Sequence, residues 1–148
     1  MAVTDTNLWR GVHTSDMEVI ETDEGPAEGV LYPTFERKKI GVDKATKKPR
    51  YREPDVTVQK GNVQTGGGTS LFDKDKFFKG KSWNFFYIPE GTEIDPVLKI
   101  TGPGWNAYFE ANHYQIEVAK ACPVQTYKNA LDHFARAAYA KRYVDART

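Results

Sequence analysis

The stretch Asn112 to Val118, NHYQIEV, alternates without interruption. In a strand it places Tyr114, Ile116 and Val118 on one face and His113, Gln115 and Glu117 on the other, so one side is apolar and the other wholly polar. Working backwards, Trp83 to Ile88 (WNFFYI) is rich in aromatic and β-branched residues. Pro89-Glu90-Gly91-Thr92 then supplies turn chemistry, and Val97 to Thr101 is a second extended run predicted to pair with the first. Gly102-Pro103-Gly104 is expected to break the chain. After Val118 the period changes. Tyr127, Leu131, Phe134, Ala135, Ala138 and Tyr139 recur at helical spacing while Lys128, Asp132, Arg136 and Arg142 are polar, which predicts a C-terminal helix of about five turns.

The N-terminal half is less regular. Asn7 to Val12 (NLWRGV) reads as a short strand with Leu8, Arg10 and Val12 on one face, which puts a cation among apolar neighbours. Residues 16–28 read as a surface connection, and Val30-Leu31-Tyr32-Pro33 as a small apolar anchor. Asp55 to Gln59 (DVTVQ) alternates as a strand. Gly66-Gly67-Gly68 permits backbone approaches that a side chain would forbid, and Asp73 is placed to cap a short helix running through Phe78. The whole reads as one β-rich α+β domain over residues 1–148.

Composition agrees with one core. The chain has 148 residues, 39% of them hydrophobic, a size and content that normally make one domain. No run approaches the roughly 18 apolar residues of a membrane span, and MAVTDTNLWR lacks the apolar stretch of a cleaved signal, so synthesis and folding in a cytoplasm are expected. Cys122 is the single cysteine, which excludes an internal disulfide and a thiolate metal cluster. No metal is expected.

The formal net charge of +1 conceals a dipole. Arg37 to Arg52 holds eight Lys or Arg and one acid, while Asp16 to Glu28 holds six acids and no base. Such runs are usually solvated loops that neutralise one another. The alternative is an anion-facing segment at 37–52 that contacts phosphates of a nucleotide or nucleic acid, with Tyr51 available for stacking. Elsewhere Arg10, the Thr69-Ser70 pair after the glycines, and the face of His113, Gln115 and Glu117 put polar groups where a plain sheet would be apolar. Together they suggest a site where a guanidinium holds a phosphate, hydroxyls order a ribose pocket and a carboxylate faces developing positive charge.

Six segments carry a resemblance: LWRGV (8–12), LYPTF (31–35), REPDV (52–56), GGTSLFD (67–73), IPEGTEIDPVLKI (88–100) and NHYQIEVAK (112–120). In this order they resemble a family of cytotoxins exported by type VI secretion with an ADP-ribosyltransferase-like fold. The resemblance implies a split antiparallel β-sandwich with flanking helices and a C-terminal helix. It also implies NAD as substrate, cleavage of the nicotinamide–ribose bond with transfer of ADP-ribose to a macromolecule inside the recipient cytoplasm, and a cognate immunity protein covering the cleft. Carried across by position, Arg10 resembles the first-strand arginine that organises the NAD pocket, and Thr69 and Ser70 resemble the hydroxyls of the second motif. Gln115 and Glu117 resemble the third, whose glutamate stabilises the oxocarbenium-like transition state. Arg10, Ser70 and Glu117 are thus the expected catalytic set. Arg52, Thr69, His113 and Gln115 join Arg10 and Ser70 as expected NAD-binding groups. NAD hydrolysis, a catalytically silent binding fold, and a nucleic-acid-binding domain using 37–52 are the alternatives.

Overall fold

The computed structural model describes residues 2–147. Among them the elements in chain order are β1 (Leu8–His13), β2 (Glu21–Thr22), β3 (Gly25–Pro26), β4 (Lys38–Val42), β5 (Pro49–Arg52), β6 (Val58–Gln59), β7 (Asn62–Val63), β8 (Thr69–Phe72), β9 (Trp83–Ile88), β10 (Leu98–Asn106), β11 (Ala111–Val118), β12 (Cys122–Pro123) and α1 (Val124–Ala146). Five of the strands form an antiparallel sheet in the order β10-β11-β8-β1-β9.

Pairing within this sheet is uneven, and that unevenness makes the site. Six register pairs join β1 to β9 and four join β11 to β8, but β1 and β8 share one, Trp9 opposite Phe72. The sheet splits along this line. One face of it is apolar: Leu8, Val12, Leu71, Phe86, Ile88, Ile116 and Val118 pack with Tyr127, Leu131, Phe134, Ala135 and Ala138 of α1. Alternation sends Phe72 to the other face, where it joins Phe77, Ala111, Trp9, Phe78, Phe85 and Phe109 in a second, aromatic cluster. The helical stripe therefore does what its spacing predicts, and Tyr127 also donates its hydroxyl to the Ile116 carbonyl at 2.8 Å, tying α1 to β11.

Several expectations are corrected. Trp83–Ile88 and the 97–101 run do not pair; β9 and β10 are the opposite edges of the sheet, because β1 and β11 take their hydrogen bonds. Gly102-Pro103-Gly104 does not end its strand. It lies inside β10, with a cis Gly102–Pro103 bond and a register shift between Thr101 and Gly104. No helix starts at Asp73: its carboxylate accepts hydrogen bonds from the Asn112 backbone N–H (2.7 Å) and Nδ2 (2.9 Å), and Phe77 and Phe78 turn into the aromatic cluster. Only Val58–Gln59 of the 55–59 run is a strand. Asp55 instead closes a two-way bridge with Thr34, its N–H donating to the Thr34 carbonyl and its carboxylate accepting from the Thr34 N–H. Residues 16–28 include the β2–β3 hairpin, held to α1 by the Glu21–Arg142 ion pair and the Tyr139 hydroxyl on Thr22 O. The helix has 23 residues, about six turns. Among the described residues it is the one α-helix, and no helix is long and apolar enough to cross a membrane.

Gly68 shows why glycines precede β8. A Cβ there would lie 1.9 Å from the Ile116 carbonyl oxygen, across the hydrogen-bonded β8–β11 pair. Gly68→Ala is expected to cost about 1–3 kcal/mol through the strand shift it forces, measured as a fall in urea midpoint with unchanged slope.

Candidate functional site

The split between β1 and β8 opens into a cleft of about 1090 Å³. That volume suits a large ligand. Arg10, Ser70 and His113 meet there with Arg52, and the apolar wall is built from Phe72, Phe78 and Trp83.

Arg10 is the unusual member. Alternation in β1 places it between the core residues Leu8 and Val12. One terminal guanidinium nitrogen, Nη2, donates to the Tyr32 carbonyl at 3.2 Å, while Nε is buried with no hydrogen-bond partner among the described residues. Burial depresses its pKa, Asp55 opposes that, and Arg52 adds to it. A guanidinium stays charged even so, because its intrinsic pKa is so high. It has five donors, and a buried donor such as Nε that is left without an acceptor is costly unless something else satisfies it.

The backbone that faces Arg10 is firmly held. Tyr32 donates its hydroxyl to Asp132 Oδ2 at 2.5 Å, and Gly29 donates its N–H to Oδ1 at 2.9 Å. Burial, and then the bond to Asp132, push the Tyr32 pKa well up. From the other side Thr69 Oγ1 donates to the Leu31 carbonyl at 2.6 Å. Thr69 is fully buried and is not in the cleft wall; it fastens residues 31–32 to β8 behind Arg10.

Ser70 points the other way along β8, and its Oγ lies 3.0 Å from His113 Nε2 on β11. The His113 ring also packs on Phe72, with centroids 5.1 Å apart. Desolvation lowers the His113 pKa, so the imidazole is neutral at pH 7 and exchanges a hydrogen bond with Ser70. Arg52, at the end of β5, reaches the cleft rim with Nη2 3.8 Å from Asp55.

Gln115 and Glu117 share a strand face with His113 but are not in the cleft wall. Both Glu117 oxygens are already engaged: Oε1 accepts from the Gly66 N–H and Oε2 from Thr101 Oγ1, each at 2.7 Å. Burial acts to raise its pKa, but the bonds from Thr101, Gly66 and Gln115 outweigh it and hold the carboxyl below its usual value. The structure thus gathers Arg10, Arg52, Ser70 and His113 in the cleft wall, and leaves Thr69, Gln115 and Glu117 outside that wall. Sequence reasoning missed Tyr32, Asp55 and Asp132; the first two lie inside LYPTF and REPDV, whereas Asp132 looks like any polar helix position. No group of three or more His, Cys, Asp or Glu fit to hold a metal occurs among the described residues.

The split antiparallel sheet with an arginine in its opening agrees with the fold that the sequence resemblance implies. The family profile described as Tse2 ADP-ribosyltransferase toxin matches residues 3–143. The chain belongs to the Tse2 ADP-ribosyltransferase toxin family. It is 30% identical over 145 residues to Toxin Tse2 of Pseudomonas aeruginosa, an alignment spanning 97% of this chain and 85% of the relative. The Tse2-family match runs from before β1 into the last turn of α1, so it includes every strand that builds the cleft.

Proposed function

We propose that this Tse2-family chain cleaves the nicotinamide–ribose bond of NAD and transfers ADP-ribose to a macromolecule. The observation that carries this reading is Arg10: a partly buried guanidinium, its Nε buried without a partner among the described residues, lining a cleft of about 1090 Å³. A diphosphate supplies the anionic acceptors that the fork lacks. Arg52 at the rim adds a second cation, and the Phe72, Phe78 and Trp83 wall offers flat apolar surface for the nicotinamide. Phe78 and Trp83 are themselves stacked, with centroids 4.0 Å apart, which keeps that wall rigid.

Bond cleavage releases neutral nicotinamide and leaves positive charge on the ribose. Ser70 and His113 then serve as the hydrogen-bonding pair at the ribose hydroxyls, and the neutral imidazole adds no cation beside the developing charge. Glu117 acts one layer back, fixing Gly66 and Thr101 and so the turn that leads into β8. Export by type VI secretion, action in the recipient cytoplasm and neutralisation by an immunity protein complete the proposal. Trp105 near the end of β10 and Tyr108 in the β10–β11 turn, 65% and 89% exposed beside the cleft residues Asn106 and Phe109, are suited to anchor such an inhibitor.

The test is nicotinamide release from NAD, followed chromatographically, with labelled NAD added to a bacterial lysate. Label on macromolecules supports transfer; free ADP-ribose as the sole product supports hydrolysis; no nicotinamide release rejects both. Ser70→Ala should lower kcat/KM about tenfold, the worth of one hydrogen bond, with the melting temperature unchanged. For His113 the folded pKa lies below the ordinary value near 6.5, so protonation favours the unfolded chain. Stability should therefore be level above about pH 6.5 and decline as pH falls below it, activity should fall only at the lower pH where the folded imidazole takes up its proton, and His113→Asn should flatten both limbs.

A further inference from the structure

The β4–β5 hairpin contributes nothing to the core, yet it stands at the cleft mouth. Every residue of both strands is exposed, and Lys38, Lys39, Ile40 and Arg52 border the cleft. We infer that this ribbon is a nucleic-acid-binding arm that presents the acceptor of ADP-ribose to the cleft, a conclusion that rests on the transferase reading above.

Charge is the first argument. The mutual neutralisation expected between the basic and acidic runs is slight: among the described residues Asp16 to Glu28 supplies one ion-pair partner to the ribbon, Asp16 to Lys38 at 3.7 Å, and Glu21 pairs with Arg142. Ion pairs gather at the base of the ribbon, where Arg37 meets Glu53 and Arg52 meets Asp55. Among the described residues Lys39, Lys44, Lys47, Lys48 and Arg50 form no ion pair. The ribbon's one acid, Asp43, is spent on its own turn, its carboxylate accepting the N–H groups of Ala45 and Thr46.

Geometry is the second. Lys38 lies directly opposite Arg52, a cross-strand repulsion that disfavours the hairpin. Arg50 and Arg52 share a face of β5, Tyr51 and Lys39 point to the reverse, and Lys44, Lys47 and Lys48 surround the tip. Cations on both faces and the end suit insertion between two walls of phosphate, and a two-stranded ribbon fits a groove about 12 Å wide. An acidic protein surface would meet one face. Tyr51, whose ring carries the Arg37 guanidinium at 3.9 Å, adds a platform for base stacking.

Transfer balances without another reagent: the bond from ribose C1 to nicotinamide breaks with its electron pair leaving on nicotinamide. A nucleophilic nitrogen or oxygen of the nucleic acid bonds to that carbon, and its proton passes to solvent.

The experiment compares the parent with Lys44→Gln/Lys47→Asn/Lys48→Gln/Arg50→Gln, the asparagine chosen because Lys47 has φ 58°. None of these four residues lines the cleft. Binding of fluorescein-labelled duplex DNA and of a single-stranded RNA is titrated across salt concentrations in the absence of NAD. The parent should bind at least one of them, and the variant should lose about three to four in the slope of log K against log salt for the duplex. Label transfer from NAD to nucleic acid should fall with it, while nicotinamide release without nucleic acid is retained. Equal binding by parent and variant, no binding by the parent, or equal competition by polyglutamate would overturn the arm. Because binding is read without NAD, a chain that releases no nicotinamide fails the transferase reading through a separate measurement.

Discussion

Arg10→Met is expected to abolish NAD turnover and leave the fold at least as stable as before. The two halves of this outcome come from one cause. In the free protein the guanidinium is desolvated, donates one hydrogen bond to the Tyr32 carbonyl and leaves Nε unsatisfied. Replacing a buried charge by an apolar group of similar volume is often neutral or stabilises by about 1–4 kcal/mol. Function should move the opposite way. Loss of a preorganised donor set from a water-excluding site costs about 100- to 1000-fold in rate. Arg10→Lys should not restore it, because an ammonium cannot reproduce the planar fork. Nicotinamide release and a thermal melt on the same preparation decide the matter. A variant that keeps its rate, or one that loses rate only because it unfolds, would remove Arg10 from the proposed role.

That conflict was already visible in NLWRGV, where a cation interrupts an apolar face. The period-two run of NHYQIEV and the helical stripe after Val124 were equally legible, since each is set by which local face must be buried. What could not be read was long-range partner choice. Nothing in WNFFYI distinguishes β1 from the 97–101 run as its neighbour, and the single Trp9–Phe72 pair where the sheet splits joins residues 63 apart in sequence. Burial also has limits as a local signal. His113, Gln115 and Glu117 share one face, yet His113 enters the cleft while Glu117 turns to Gly66 and Thr101, because the loop before β8 and the neighbouring strand β10 offer donors there. Likewise, Asp73 looked like a helix cap, and Asn112, which is remote in sequence, claimed it.

Glu117 separates a charge that acts on substrate from one that holds the scaffold. Its carboxylate is nearly buried, 6% exposed, and accepts from a backbone N–H and a hydroxyl. Glu117→Ala would strand both donors; hydrogen bonds to charged groups contribute about 1.5–3 kcal/mol each, so a loss of about 3 kcal/mol or more is expected. Glu117→Gln keeps an acceptor for Gly66 and replaces the acceptor for Thr101 by an amide donor, to which the hydroxyl can turn its lone pair, and should retain most of its turnover with a smaller fall in melting temperature. The linkage has a definite sign. With the folded pKa below the unfolded one, Glu117 stabilises above about pH 4.3 and that contribution is lost as pH falls further. In Glu117→Gln the acid limb of the stability curve should therefore become shallower. A Gln variant of unchanged stability and acid sensitivity that has lost turnover about 100-fold would instead place the charge at the ribose during reaction, and would require Gly66 and Thr101 to release it when NAD binds.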